Sequence, residues 1–220
     1  MDRPAFLERV RSALAGVAVP PLPETFPATP ASGDGTATPE RFLSALEAVG
    51  GSGRLVARAD LAAAVRDVAV ATRSAAAGGQ AVIAPDVEPF AREVEAGLRD
   101  AGVDVVRPAD GPAWREAAAA ADLGVTGARL GVAATGSVLI VSNERSPRAA
   151  SILPAAHLVL LPADRLVPGL DEVMPVLASV AGSSSAPFLV TGPSRTSDIE
   201  MTMVVGVHGP RALHVLVVSG

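Results

Sequence analysis

The fold class is decided by residues 81–106, which read AVIAPDVEPFAREVEAGLRDAGVDVV. The first four residues are apolar, as in a buried strand, and Phe90, Val94 and Leu98 then repeat at the spacing of one helical face. Gly102 ends this helix before a second apolar run rich in valine. A strand, a helix and a further strand at this spacing form a βαβ unit, so the two strands are predicted to be parallel.

The same alternation continues on both sides of this unit. Helices are predicted from Thr38, an N-cap candidate followed by Pro39, and from Asp60. Further strand-like runs lie at residues 55–57, 158–161, 188–191 and 213–218, and a helical stretch lies at 171–181. The sequence therefore predicts an α/β fold with a mostly parallel sheet and helices on both faces.

Residues 131–142 depart from this rule. Two extended pieces meet there at Thr135-Gly136-Ser137, which is too short a connection for a helical crossover. We therefore expect a local antiparallel hairpin at this place.

Three segments are predicted along the chain. Residues 1–17 form an amphipathic N-terminal helix, residues 18–37 a proline-rich linker, and residues 38–220 the α/β domain. The first helix either docks on its own domain or reaches a partner subunit, and the sequence does not separate these alternatives.

The composition excludes several classes of function. All 18 basic residues are arginines, so no lysine is present to form a Schiff base, and the absence of cysteine excludes thiolate-ligated iron–sulfur clusters. The three histidines lack metal-site spacing, so no metal site is expected. A net charge of -5 argues against nucleic-acid binding, and the chain lacks an apolar run long enough for a membrane span. We expect a cytoplasmic protein that binds no cofactor itself.

The first candidate ligand-binding segment is the turn Thr135-Gly136-Ser137, together with the preceding Gly124-Val125-Thr126-Gly127. Glycine lets the backbone approach a ligand closely, and neighbouring amides and hydroxyls can hold a carboxylate or phosphate. The alternative is that Gly136 only serves the hairpin, and spacing alone favours this alternative.

The second candidate segment is residues 191–200, TGPSRTSDIE, which follows a predicted strand. Ser197 and Glu200 fit a capping box, and the helix start would lie beside Arg195 and attract anions. We assign ligand-binding roles to Gly192, Ser194, Arg195 and Asp198. A purely structural alternative, in which Ser197 and Asp198 serve the helix start, leaves Arg195 unexplained.

His208 lies in the loop Gly206-Val207-His208-Gly209-Pro210 and is a candidate ligand-binding residue. A histidine there can donate to a carboxylate or act as acid or base near neutral pH, although a local turn hydrogen bond is the commoner role. The catalytic group stays unidentified, with Glu200 and His208 as candidates. We expect His157 and His214 to be packed in the core.

These segments resemble the lactate-utilisation (LUD) domain family, and specifically its C-type subunit. The resemblance covers residue 38 to the C-terminus and depends most on the Gly-Pro-Ser-Arg-Thr sequence at 192–196. It implies a fold similar to the CoA-transferase, ribose-5-phosphate isomerase and glucosamine-phosphate deaminase group. It also implies a non-redox subunit in the oxidation of L-lactate to pyruvate, with iron–sulfur clusters on partner proteins. Ala134 stands where the family often has an acidic residue, which leaves Glu200 as the nearest substitute.

Three functional hypotheses follow. In the first, Ser137, Arg195 and His208 hold a small hydroxy or keto acid within an iron–sulfur complex, so that the chain is a subunit and not a complete enzyme. In the second, the chain alone is a transferase or isomerase acting on a CoA thioester or a sugar phosphate. In the third, it is a structural scaffold. The sequence leaves open whether the chain forms homo-oligomers.

Overall fold

The computed structural model of the 220-residue chain describes residues 2–17, 35–73, 79–107, 111–143, 147–180, 182, 186–196 and 203–220. The chain divides into two units, Met1–Pro30 and Ala31–Gly220. In the first unit, helix α1 (Arg3–Leu14) begins with a proline in its first turn, where a missing N–H is tolerated, and none of its residues is buried. The predicted linker at 18–37 falls almost wholly outside the described residues.

The second unit alternates helices and strands. Its helices are α2 (Pro39–Ala48), α3 (Leu61–Thr72), α4 (Ala91–Asp100), α5 (Gly111–Ala120), α6 (Ala149–Ile152) and α7 (Val173–Val180). Its strands are β1 (Ser52–Ala57), β2 (Gln80–Ile83), β3 (Asp104–Val106), β4 (Leu123–Gly127), β5 (Leu130–Val132), β6 (Ser137–Ser142), β7 (Ala156–Pro162), β8 (Leu166–Val167), β9 (Ala186–Val190), β10 (Arg195–Thr196), β11 (Val204–Val205) and β12 (Ala212–Ser219). None of the helices in the described part of the chain is long and apolar enough to cross a membrane.

Six strands form the main sheet, in the order β1-β12-β7-β4-β2-β3, and every neighbouring pair is parallel. The central strand β7 is buried along nearly its whole length, as expected for a parallel sheet that is covered on both faces. The predicted α/β fold with a mostly parallel sheet is therefore confirmed.

Alternate residues of β7 belong to different layers. Leu158 and Leu160 pack with α3 and α4 on one face, which we call the helical face. Val159 and Leu161 pack on the other face with α2 and a second sheet. Helices α5 and α6 cover the part of this second face above β2 and β4. Full burial of each such aliphatic side chain contributes about 1.5–3 kcal/mol, so both layers stabilise the sheet.

The second sheet has four strands in the order β8-β5-β6-β9. Strands β5 and β6 form the predicted antiparallel hairpin, with Val132 opposite Ser137 across the turn. Strand β9 continues the antiparallel pairing beside β6, whereas β8 pairs parallel with β5. The hairpin is therefore the centre of a separate four-stranded sheet. The sequence predicted the hairpin but not the sheet around it.

Two predicted helix starts have different outcomes. The Thr38 side chain accepts a hydrogen bond from the Arg41 N–H at 3.3 Å, which confirms Thr38 as the cap of α2. Asp86 precedes the predicted helix that contains Phe90, Val94 and Leu98, and the sequence predicts it as the cap of that helix, which is wrong. A 3-10 segment, Pro85–Phe90, precedes α4, and Asp86 Oδ1 instead accepts the Gly127 N–H at 3.1 Å, so it ties this segment to the end of β4.

Candidate functional site

A chain of three hydroxyl groups joins the two predicted ligand-binding segments. Ser137 Oγ lies 2.7 Å from Thr135 Oγ1 and 2.7 Å from Thr191 Oγ1. Ser137 is 2% exposed, and it is held there because β6 pairs directly with β9. The hairpin turn and the loop after β9 are thus brought together.

Two glycines let these loops approach the C-terminal end of α2. Gly136 has φ +64, and a Cβ at this position would overlap the backbone of Leu46. Gly192 has φ +78, and a Cβ there would lie 2.5 Å from the Val49 carbonyl oxygen. Both positions require glycine for the positive φ and for the close approach. Their conformations therefore serve helix packing.

Arg195 makes its contact at the same helix end. Its Nη2 donates to the Val49 carbonyl oxygen at 2.6 Å. This carbonyl belongs to the last turn of the helix, where the helix dipole is negative and a cation is stabilising. Arg195 thus completes the C-terminal end of α2, and it is not among the residues that line the cavity described next.

A cavity of about 300 Å³, the first cavity, opens beside the loop that follows β9. Four protein segments form its described lining: the region of α6, the start of β7, residues of β9 with the loop after it, and the residues that lead into β12. The lining residues are Arg148, Ser151, Ile152, His157, Phe188, Leu189, Val190, Thr191, Gly192, Pro193, Ser194, His208, Gly209, Pro210 and Leu213.

Gly192, Ser194 and His208 are the predicted site residues that line the first cavity. The Ser194 N–H donates to the Pro210 carbonyl oxygen at 2.9 Å, which holds the loop after β9 against the loop that carries His208. The turn Thr135-Gly136-Ser137 does not line the first cavity. It is connected to the lining residue Thr191 by the hydrogen bond between the Ser137 and Thr191 hydroxyl groups. Asp198, Glu200 and the proposed capping serine Ser197 lie outside the described residues.

The described lining of the first cavity contains one arginine, Arg148. The sequence analysis did not predict it as a site residue. Its guanidinium carbon lies 5.8 Å from the centre of the Phe188 ring, a cation–π contact. No carboxylate among the described residues pairs with Arg148. It is therefore a cation at the cavity that is positioned by an aromatic ring and is still able to bind an anion.

His157 contributes a buried imidazole to the cavity wall. The residue is 1% exposed, and its Nε2 lies 2.8 Å from Thr126 Oγ1 on the neighbouring strand β4. Burial lowers the pKa of His157 to about 3, because the charged ring would lose its hydration. The ring is thus neutral at physiological pH.

The Thr126 hydroxyl favours one tautomer of the neutral His157 ring. Thr126 is fully buried, and His157 is the hydrogen-bond partner of its side chain among the described residues. If the Thr126 hydroxyl donates its hydrogen bond to His157, the acceptor is Nε2. The single N–H of the neutral imidazole ring is then on Nδ1. His157 Nδ1 has no partner within the described structure. A buried N–H without a partner costs about 1–3 kcal/mol, and because this nitrogen is itself buried, a ligand or water reaches it only when the surrounding side chains move.

The first cavity lies at the amino ends of β7 and β12, whereas open parallel sheets usually bind ligands at the carboxyl ends of their strands. His157 is the second residue of β7, and Leu213, its register partner, is the second residue of β12. Residues 191–194 of the lining follow β9, which belongs to the second sheet. The site is therefore formed between two sheets.

Sequence reasoning assigned His157 to the core, and the side chain is indeed buried. It missed that the residue also lines a cavity. The available signal was a pair of polar residues, Thr126 and His157, within otherwise apolar strands, since a buried polar side chain needs a specific partner. No cluster of three potential metal ligands occurs among the residues that the structure describes.

Comparison with known proteins assigns this chain to a family. The family model of the LUD domain matches residues 39–218, and the chain therefore belongs to the LUD-domain family. This confirms the resemblance found in the sequence.

Two relatives are lactate utilization proteins C. That of Geobacillus kaustophilus is 33% identical over 172 residues, covering 73% of this chain and 70% of the relative. That of Halalkalibacterium halodurans is 37% identical over 120 residues, which covers 52% of each protein. The chain thus spans about half the length of the latter relative.

The fold is also found in a solved structure. A crystal structure of a DUF162 family protein from Deinococcus radiodurans matches with a TM-score of 0.57 and 21% identity, covering 82% of this chain and 95% of that protein. At this level of identity, the similarity shows a shared fold.

Proposed function

We propose that this protein is a non-redox subunit of an L-lactate utilisation system and that it binds a small carboxylate, L-lactate or pyruvate, in the first cavity. The observation that carries the proposal is the similarity to lactate utilization protein C of Geobacillus kaustophilus along most of both chains. Electrons would pass through iron–sulfur clusters on partner proteins, since this chain has no cysteine to ligate such a cluster.

The chemistry of the cavity supports a small anionic ligand. A volume of about 300 Å³ lies at the lower end of the range for small-molecule pockets. Arg148 supplies a positive charge that no described carboxylate neutralises, and a guanidinium can bind both oxygens of a carboxylate. The lining also includes apolar side chains such as Phe188 and Leu213, and an apolar environment strengthens the attraction between opposite charges.

The hydrogen-bonding groups of the cavity suit a hydroxy or keto acid. The Nδ1–H of His157 is buried and without a partner, and it would donate to a carboxylate, hydroxyl or keto oxygen if ligand binding moves the side chains that cover it. Ser194 and His208 also line the cavity, and their side chains can donate to a second polar group of the ligand. A role for His208 as acid or base stays a prediction, as does the predicted role of Glu200.

Calorimetric titration of the purified chain with L-lactate and pyruvate tests the ligand. Arg148→Gln is expected to weaken binding about tenfold or more, because it removes a charged hydrogen-bond donor. Arg115→Gln is the matched control, since Arg115 is an exposed arginine of α5 that lines no described cavity. Equal affinity in the two variants would contradict the assignment of this cavity.

Deletion and coexpression test the role in the cell. A host that lacks this gene is expected to lose growth on L-lactate but to keep growth on glucose. Coexpression with the iron–sulfur proteins of a lactate-utilisation system is expected to give a complex that oxidises L-lactate. Turnover of a CoA thioester or a sugar phosphate by the purified chain alone would instead favour the stand-alone transferase or isomerase.

A further inference from the structure

Strand β1 is an open edge of the main sheet. On one side it pairs with β12, in a regular register that runs from Ser52 opposite His214 to Ala57 opposite Ser219. On its other side it has no strand partner within the described part of the chain. An open edge presents backbone N–H and C=O groups that can pair with another strand, and this edge is six residues long.

The backbone of β1 is accessible to solvent. Val56 is buried, whereas the other five residues of the strand are exposed. At Gly53 the exposed surface is backbone, because glycine has no side chain and a Cβ at this position would meet Leu43 and Leu46 of α2. Helix α2 thus covers one face of β1 and leaves its outer edge open.

Strand β1 lacks the features that usually protect an edge strand. Proline, lysine and bulges keep edge strands from pairing, and β1 has none of these. Its one charged residue is Arg54, whose Nη2 donates to Asp67 Oδ2 of α3 at 2.9 Å. This ion pair holds the guanidinium on the helical face, so the charge does not guard the edge.

The other outer strands of the two sheets are shorter or carry such a feature. Strand β3, at the opposite edge of the main sheet, has three residues and begins with the exposed Asp104. In the second sheet, β8 has two residues and β9 contains Pro187, which cannot donate to a neighbouring strand. Among the outer strands of these two sheets, β1 is therefore the best suited to pairing.

Leu55 adds an apolar surface to this edge. Its side chain is 44% exposed. Since Val56 packs on the helical face, the neighbouring Leu55 points to the opposite face. A strand placed beside β1 would remove part of this side chain from water, which favours association.

We propose that β1 is a dimerisation strand, which pairs antiparallel with β1 of a second copy of this chain so that the two main sheets join across a two-fold axis. Antiparallel pairing about such an axis is self-complementary, because each backbone group of one copy meets its counterpart in the other. The axis also places both Leu55 side chains on the same face of the joined sheet, close enough to contact each other.

A second copy fits this edge better than a strand of unrelated sequence. It matches β1 in length and offers the same apolar side chain, whereas the edge offers no free charge that would select a strand of opposite charge. The pairing requires no ligand in the first cavity, so the proposal does not depend on the proposed function.

Sedimentation equilibrium of the full chain at increasing concentration tests the proposal. The wild type is expected to form a dimer. Leu55→Lys is expected to raise the dissociation constant of this dimer about tenfold or more, because the ammonium group loses hydration when the strands pair. Leu170→Lys is the matched control with an unchanged dissociation constant, since Leu170 is 47% exposed and lies in the loop before α7.

A wild type that stays monomeric at every concentration would overturn the proposal. Equal dissociation constants for the wild type and Leu55→Lys would also overturn it, because the copies would then meet through another surface.

Hydrogen–deuterium exchange of the wild type gives an answer even if Leu55→Lys does not fold. Amide exchange within residues 52–57 is expected to slow as the concentration rises, because the outward N–H groups become hydrogen-bonded in the dimer. Exchange in β3 is expected to stay unchanged. Exchange in β1 that is independent of concentration, or that slows only when a different protein is added, would contradict pairing with a second copy.

Discussion

Thr126 Oγ1 and His157 Nε2 lie 2.8 Å apart between neighbouring strands of the main sheet, and both residues are buried. Pairing of the Thr126 hydroxyl hydrogen with Nε2 puts the ring hydrogen of His157 on Nδ1, a buried atom without a partner in a residue that lines the first cavity. The pair therefore leaves an unpaired, neutral polar group within a residue of the cavity wall. Four predictions follow from this pair and from the loops around it.

Protonation of His157 should make the protein less stable in acid. The pKa of His157 is about 3 in the folded state and about 6.5 when unfolded, so the unfolded state binds the proton more tightly between these values. Stability contributed by the neutral ring is present above pH 6.5 and is lost as the pH falls toward 3. Between pH 7 and pH 5 the loss is about 2 kcal/mol. Urea unfolding of wild type and His157→Gln measures it, and an equally large loss in the variant would contradict the assignment.

Removal of the Thr126 hydroxyl should change both stability and the tautomer of His157. Thr126→Val preserves the shape of the side chain and leaves Nε2 unpaired, so we expect a loss of about 1–3 kcal/mol. The ring-nitrogen signals in ¹⁵N NMR should report Nδ1–H in the wild type and a tautomer mixture in the variant. Thr126→Ser retains the hydroxyl and is the control. An Nε2–H tautomer in the wild type would refute the hydrogen-bond assignment.

Gly136 should tolerate no side chain. Its positive φ and its contact with the backbone of Leu46 mean that Gly136→Ala must displace the turn from α2, and we expect a loss of at least about 2 kcal/mol. Gly182→Ala is the matched control, because a Cβ at Gly182 would meet no atom within 4 Å. Chemical denaturation of both variants gives the comparison. Similar stabilities would mean that the turn does not pack as described.

Arg195 should affect stability and not ligand affinity. Its guanidinium binds the Val49 carbonyl oxygen at the end of α2, so Arg195→Gln is expected to lower the free energy of unfolding by no more than about 1 kcal/mol. Carboxylate binding in the first cavity should stay within about twofold of the wild type, a change of less than about 0.5 kcal/mol. Thermal unfolding and calorimetry on the same sample separate the two effects. A tenfold loss of carboxylate affinity in Arg195→Gln would contradict this and would support the ligand-binding role that the sequence predicted for Arg195.

The main sheet could be predicted because its signal is local. The apolar runs and the helical spacing of Phe90, Val94 and Leu98 depend only on neighbouring residues, and both are present in the structure as β2, α4 and β3. The second sheet could not be predicted, because β8 has only two residues and its pairing with β5 is non-local. The sequence predicted the hairpin and a strand at 188–191, but not β8 or the antiparallel pairing of β9 with β6.

The candidate site was predicted only in part for the same reason. Gly192, Ser194 and His208 could be predicted because glycine- and proline-rich turns mark the loops that lie after or before strands. All three residues line the first cavity. Arg148 and His157 were missed, since their roles depend on which layers meet above the start of β7. The sequence predicted that Arg195 binds an anion, whereas in the structure it binds a carbonyl oxygen at the C-terminal end of α2. Which end of α2 lies beside Arg195 depends on the direction of this helix in the fold, and the local sequence does not reveal that direction.

The most direct measurement is an NMR titration of the ¹⁵N-labelled protein with L-lactate, following the ring nitrogens of His157 together with the backbone amides of the first cavity. We predict a saturable shift of the His157 Nδ1 signal, accompanied by shifts at Gly192 and Ser194. An unchanged His157 ring at saturating lactate, or shifts confined to other parts of the protein, would contradict the proposed carboxylate site.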